Sequence, residues 1–124
     1  MGSKVLVVDD SKASREKLVT QLEKNGVSAA QAVNGEEGIK YLEQCDNIDM
    51  VFVDAEMHVM DGVSMVLEMK KDPKLNKIPV IMIINIDPVA QTIGKVMFAG
   101  ANGFMLNPPT EGGINDFVNR FSAS

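Results

Sequence analysis

Val51-Phe52-Val53-Asp54-Ala55-Glu56-Met57 is the stretch on which the fold turns. Three apolar residues run directly into an acid, and Met60-Asp61-Gly62 follows shortly after. An unbroken apolar run of this kind predicts a strand buried on both faces, with Asp54 emerging at its carboxyl end. Val5-Leu6-Val7-Val8 repeats the pattern and also ends in acids, Asp9-Asp10. Two such strands, parallel and side by side, would gather three carboxylates at one edge of one sheet. That acidic cluster is the candidate functional centre.

The rest of the chain reads as the frame around it. A helix is predicted from Ala13 to Asn25, with Leu18 and Leu22 four apart on one face and Gly26 as its stop. Val27 to Val33 alternates weakly and predicts a second, less buried strand. Asn34-Gly35 signals a turn, and Glu36-Glu37 puts negative charge where the next helix dipole favours it. Ile39 and Leu42 form that helix's core face, and Gly38 inside it should cost roughly 0.5–1 kcal/mol against Ala. Beyond Asp54, a loop holding Asp61-Gly62 leads to a helix from Val63 to Lys70, with Val63, Val66 and Leu67 inward. Ile78-Pro79 opens a strand, Val80 to Asn85, where Pro is tolerated because it precedes the ladder. Asp87-Pro88 starts a helix whose buried stripe is Val89, Ile93, Val96 and Met97, and Gly100 closes it. A short strand, Gly103 to Leu106, then turns through Asn107-Pro108-Pro109. A last helix, Glu111 to Phe121, is predicted to bury Ile114, Phe117, Val118 and Phe121. Met65, Met69, Met82, Met97 and Met105 read as core filler.

The cadence is strand then helix, five times over. Crossovers of that length demand parallel neighbours with helices on both faces. The expected fold is α/β: a flavodoxin-like, doubly wound (βα)5 unit with a five-stranded parallel sheet in the order 2-1-3-4-5.

With 124 residues, the chain is expected to be one domain, 1–124, able to bury a real core. Hydrophobic residues at 45% and charged residues at 23% are ordinary for a globular protein. A net charge of −5 argues against a nucleic-acid backbone as partner and gives no pull toward an anionic membrane. Cys45 is the single cysteine, so a disulfide framework is excluded and a reducing compartment, the cytoplasm, is the expectation. The amino terminus lacks the apolar region of a signal peptide. Leu6 stands where a myristoylation motif after Gly2 wants Ser or Thr, and the apolar run Ile78 to Ile84 is too short to span a bilayer.

In an open sheet of this kind, ligands bind beyond the carboxyl ends of the strands where the winding reverses, between strands one and three. Asp9, Asp10 and Asp54 fall there. Three neighbouring carboxylates raise one another's pKa unless they share a cation. A hard divalent ion such as Mg²⁺ resolves that conflict with carboxylate, water and phosphate oxygens. One of the acids can then act as nucleophile toward a phosphoryl group and become an aspartyl phosphate. The plainer alternative is that acids merely cap strand ends and start helices.

On these residues the whole chain resembles a receiver domain of two-component response regulators, close in size to the single-domain chemotaxis type. The resemblance is carried by Val7-Val8-Asp9-Asp10-Ser11, Val53-Asp54, Met57, Met60-Asp61-Gly62, Ile78-Pro79-Val80-Ile81-Met82 and Gly100-Ala101-Asn102-Gly103-Phe104. It implies that Asp54 is the phosphoacceptor, Asp10 a direct Mg²⁺ ligand and Asp9 an acid that holds the ion through water. Glu56 would give its backbone carbonyl to the metal while its side chain affects phosphoryl lifetime. It also implies a histidine kinase or phosphotransfer protein as phosphodonor, and a downstream protein docking on the face of helix four, strand five and helix five. A receiver of this kind is a phosphoacceptor and not an enzyme.

Three positions depart from the family pattern. Ile84 stands where a Thr or Ser hydroxyl contacts the phosphoryl group, Asn107 where a Lys pairs with it, and His58 replaces a Pro in the following loop. Hydrogen bonds to a charged group are worth roughly 1.5–3 kcal/mol each, so two lost contacts remove about 3–6 kcal/mol. Reversing a two-state population from 1:99 to 99:1 needs about 5.5 kcal/mol. Switching should therefore be weak or differently wired, and Phe104, matching the family's switch aromatic, is expected to keep one rotamer. Asn85 or Asn107 could supply a weaker amide donor in place of the missing groups, or be ordinary polar loop residues. His58 reads as a phosphoryl relay, a metal ligand or simply an exposed loop residue.

Two functions from other classes compete. A pseudo-receiver would use the fold as a phosphorylation-independent binding module, which Ile84 and Asn107 favour. An aspartate-nucleophile phosphatase would explain Asp54-Ala55-Glu56 but needs a Thr or Ser, a Lys and a cap, none of which is evident. FMN binding is disfavoured because Asp9-Asp10 would repel its phosphate.

Overall fold

A computed structural model of the chain describes residues 4–85 and 89–121. Ten elements alternate in order: β1 (Lys4–Val8), α1 (Lys12–Lys24), β2 (Ser28–Ala32), α2 (Gly35–Gln44), β3 (Met50–Asp54), α3 (Gly62–Lys71), β4 (Val80–Ile84), α4 (Val89–Ala99), β5 (Gly103–Leu106) and α5 (Glu111–Phe121). The strands form one parallel sheet in the order β2-β1-β3-β4-β5. That is the order expected from the β-α cadence.

Strand periodicity divides the core in two. Leu6, Val8, Val51, Val53, Met82 and Ile84 face one way, against side chains of α2, α3 and α4 such as Leu42, Met65, Val66 and Val96. Val5, Val7, Phe52, Ile81 and Ile83 face the other, against Leu18, Val19 and Leu22 of α1 and Ile114 and Val118 of α5. Successive side chains of a strand alternate faces, so a strand covered by helices on both sides must be apolar throughout. β4 is, β1 and β3 are apart from Lys4 and Asp54 at their ends, and the edge strand β2 (Ser28-Ala29-Ala30-Gln31-Ala32) is not.

Several helices start on side chains just past a strand or loop. The Ser11 hydroxyl accepts the Ser14 N–H at 3.3 Å, Asn34 Oδ1 accepts the Glu37 N–H at 2.8 Å, and Asp61 Oδ1 accepts the Ser64 N–H at 2.8 Å. Asn34-Gly35 therefore opens a helix as well as turning the chain, and Asp61 serves as a cap.

The structure corrects parts of the predicted core. Leu67 is 40% exposed and Met97 47% exposed, so neither belongs to the inward stripe of its helix. Met65, Met69, Met82 and Met105 are buried as expected. Ile114 and Val118 are buried, whereas Phe117 and Phe121 pack against the core only in part, stack on each other at 6.2 Å and lie 5.6 and 5.9 Å from the Arg120 guanidinium. Strand two stops at Ala32, leaving Val33 40% exposed, and strand four stops one residue before Asn85. Asp87-Pro88 and the side chain of Val89 lie outside the described residues. Gly38 is more than a tolerated weakness. A Cβ there would come within 2.8 Å of Met65 Cε and 3.2 Å of Val8 Cγ2, so its small size sets how closely α2 approaches the sheet and α3.

Candidate functional site

Parallel pairing of β1 with β3 in the register Val8↔Val53 brings the next residues of both strands, Asp9 and Asp54, to the same carboxyl edge. Asp10 follows on the loop. Carboxylate oxygens of Asp9, Asp10 and Asp54 all lie within 4.8 Å of one another, as the strand reading required.

Each acid has a different setting. Asp9 is buried, its backbone N–H on the Ala32 carbonyl at 3.1 Å and its Oδ1 accepting the Ser11 N–H at 2.8 Å. Burial raises its pKa, the Ser11 N–H opposes the rise, and Asp10 adds to it. Asp54 terminates β3, half-buried, with its Oδ1 accepting the Glu56 N–H at 2.9 Å. Burial, with the added charges of Asp9, Asp10 and Glu56, pushes its pKa up to about 6 despite that hydrogen bond. Asp10 is exposed and shifts the other way, because His58 holds its carboxylate in the charged form.

Among the described residues no Lys or Arg side chain forms an ion pair with any of the three acids. Arg15, the nearest candidate, spends its guanidinium elsewhere: Nη1 donates to the Asp9 carbonyl and Nε to Gln31 Oε1, both at 2.8 Å. The guanidinium braces the loop and leaves the cluster net negative. Arg15 offsets only part of the penalty at Asp9, and an oxygen-lined pocket of net negative charge is what a hard divalent cation requires. Among the described residues no N–H bonds the Glu56 carbonyl, which stays free to join such a set.

The loop after Asp54 is tied down tightly. The Ala55 N–H bonds the Ile83 carbonyl at 2.9 Å, and the Gly62 N–H returns to the Ala55 carbonyl at 3.1 Å. A Cβ on Gly62 would sit 2.5 Å from the backbone oxygen of Asp54, so only glycine lets the loop close here. Val59 adopts φ 71°, and the Met60 N–H bonds the His58 carbonyl at 2.8 Å, a γ-turn of the strained hand on a β-branched residue. That turn lays His58 over Asp10. Its backbone N–H reaches Asp10 Oδ2 at 3.0 Å and its ring Nδ1 the same oxygen at 2.9 Å. His58 is thus exposed, as the loop reading allowed, yet engaged with an acid of the cluster. The available signal was a lone imidazole four residues after Asp54.

Ile84, Phe104 and Asn107, expected from the resemblance to stand at switch positions, lie in three different settings. Ile84 is fully buried in the core layer shared with α4. Phe104 is half-buried against that same layer. Asn107 Nδ2 donates to Asn85 Oδ1 at 3.2 Å, and Asn85 Nδ2 to Glu56 Oε2 at 2.9 Å. The two amides form a chain that ends on Glu56, and among the described residues neither hydrogen-bonds Asp54.

The response regulator receiver domain family matches residues 5–119. The chemotaxis protein CheV3 of Helicobacter pylori is 37% identical over 86 residues, which is 62% of this chain and 28% of CheV3, so the chain spans well under half of that relative. Protein PilH of Pseudomonas aeruginosa is 31% identical over 110 residues, 88% of each chain. Among solved structures, the receiver domain of sensor histidine kinase PA1611 from Pseudomonas aeruginosa PAO1, which has a magnesium ion coordinated in its active-site cleft, superimposes with a TM-score of 0.88 at 18% identity, covering 98% of both chains. By its strand order, its edge of acids and these matches, the chain belongs to the response regulator receiver domain family.

Proposed function

We propose that residues 1–124 work as one receiver domain in the cytoplasm, with Asp54 as the phosphoacceptor for a histidine kinase or phosphotransfer protein. The observation that carries this reading is the meeting of Asp9, Asp10 and Asp54 within 4.8 Å with no Lys or Arg ion-paired to them among the described residues. Asp10 and Asp54 with the Glu56 carbonyl would hold Mg²⁺, and Asp9 would do so by way of water. When bound, the ion supplies charge neutralisation for the phosphoryl oxygens. An ionised oxygen of Asp54 forms the new O–P bond as the N–P bond of the donor phosphohistidine breaks, and the departing imidazole takes a proton. The Glu56 N–H, already on Asp54 Oδ1, orients the carboxylate. Asp54 is consumed and regenerated by hydrolysis, so the domain acts as a signalling substrate and not as a turnover enzyme.

Coupling of that event to a change of shape should be weak. Ile84 has no hydroxyl and is packed in the core, and the Asn107 amide is engaged with Asn85. This favours the second reading, a module whose partner contacts, on the face of α4, β5 and α5, do not depend on phosphorylation.

Incubation with a small acyl phosphate and Mg²⁺, read by intact mass, tests the first reading. A gain of one PO₃ unit is expected, lost in Asp54→Asn and without Mg²⁺; no gain in the wild type would refute it. Beryllofluoride with Mg²⁺ tests the coupling. The ring resonances of Phe104 should hold their positions, and large shifts there would show an intact switch.

A further inference from the structure

We propose that Asn85 and Asn107 are positioning residues that hold the Glu56 carboxylate beside Asp54 and so shorten the life of the phosphorylated state. This role rests on the reading of Asp54 as phosphoacceptor. The sheet register brings the three side chains together. Asp54 pairs with Ile83 and Ile84 with Leu106. Glu56 stands two residues past the first pair, and Asn85 and Asn107 directly follow the second, so all three lie at the carboxyl edge that carries the acids. The Ala55 N–H on the Ile83 carbonyl at 2.9 Å and the Asn107 N–H on the Ile84 carbonyl at 2.8 Å carry the ladders past the strand ends.

Glu56 is thereby pinned at both ends. Its backbone N–H donates to Asp54 Oδ1 at 2.9 Å, and its Oε2 accepts Asn85 Nδ2 at 2.9 Å. An amide can face a neighbour with its nitrogen or its oxygen. Asn107 makes the choice, because its Nδ2 takes Asn85 Oδ1 at 3.2 Å and leaves the Asn85 nitrogen for Glu56. An exposed Glu side chain otherwise wanders among rotamers. Held here, its charge reaches the phosphoacceptor, since Glu56 is among the groups that push the Asp54 pKa up. Asn85 engages Oε2, and the second oxygen of the carboxylate is the acceptor for a water proton. In hydrolysis the water oxygen bonds phosphorus as the P–O bond to Asp54 breaks. The water proton passes to Glu56, and the products are inorganic phosphate and the free Asp54 carboxylate. An untethered Glu56 turns into solvent and serves that step less often.

The full chain, phosphorylated with a small acyl phosphate and Mg²⁺ and then freed of the donor, is followed by intact mass as the PO₃ unit is lost. Glu56→Gln should slow that loss by about 10-fold, and Asn85→Ala and Asn107→Ala by about 3-fold or more. In the Glu56→Gln background neither Asn substitution should slow it further, because both act through the one carboxylate. Asn85→Asp, which keeps the size and loses the donor, should match Asn85→Ala. Side-chain amide NMR of the unphosphorylated chain gives a second readout: Asn107→Ala and Glu56→Gln should each move the Asn85 NH₂ resonances. Loss rates that ignore the Asn variants, slowing that persists in full without the Glu56 carboxylate, or Asn85 resonances that ignore both substitutions would overturn the positioning role and leave the phosphoacceptor standing. A wild type that gains no PO₃ overturns the phosphoacceptor reading and this role with it.

Discussion

Asp54 is held in an environment that favours its proton. Its pKa in the fold, about 6, lies above the ordinary carboxyl range because burial and neighbouring charge penalise the anion. The folded state therefore binds this proton more tightly than the unfolded chain does. The resulting stabilisation is full below the ordinary carboxyl pKa and is lost as pH rises through about 6. Asp54→Asn keeps an oxygen for the Glu56 N–H and removes the charge. In chelator, it should exceed the wild type by roughly 1–2 kcal/mol at pH 7, a figure reduced for the partial exposure of the site, and the gap should close toward pH 4. Urea denaturation across that range measures it, and a gap independent of pH would contradict the shift. At this scale the sequence revealed the three acids and, on the resemblance, Ile84 and Asn107 where a hydroxyl and an ammonium are expected. It did not reveal where the replacement groups turn. Asn85 and Asn107 bond each other and Glu56, and His58 bonds Asp10, because hydrogen-bond direction depends on loop geometry that residue type alone does not set.

The elements were legible where apolar periodicity is strong and blurred where two large apolar residues adjoin. Val66-Leu67 in α3 and Val96-Met97 in α4 each offer neighbours about 100° apart on the helix. Only one of each pair can face the sheet, and packing chose Val66 and Val96. Glycines divide in the same way between packing and mere tolerance. At Gly62, the start of α3, an added methyl meets the backbone of Asp54 and Ala55, which cannot step aside as a side chain end could. Gly62→Ala should destabilise the domain by about 1–3 kcal/mol or more and disturb the site. Gly94, within α4, has nothing within 4 Å of an added methyl, so Gly94→Ala should stabilise by about 0.5–1 kcal/mol through helix propensity. Thermal and urea unfolding of the two variants checks the pair; equal effects would show that the close approach at Gly62 is not structural.

Across the whole molecule, topology does what no single segment can. Residues 9 and 54 are remote in the chain, and the strand order β2-β1-β3-β4-β5 makes β1 and β3 neighbours. The winding reverses between them, and open sheets of this type bind ligands beyond the carboxyl edge at that point. The β-α cadence and the apolar central strands announced that order; the helix faces and the loop contacts had to be seen. Placing three acids at the reversal makes an oxygen-rich site whose repulsion a cation relieves. Titration with Mg²⁺ followed by backbone amide NMR tests this gathering most directly. Amides of residues 9–11 and 54–58 should move together along one saturable curve at millimolar Mg²⁺, with the curve weakened by Asp9→Asn, Asp10→Asn or Asp54→Asn. Shifts confined to one of the two segments, or none at millimolar Mg²⁺, would contradict it.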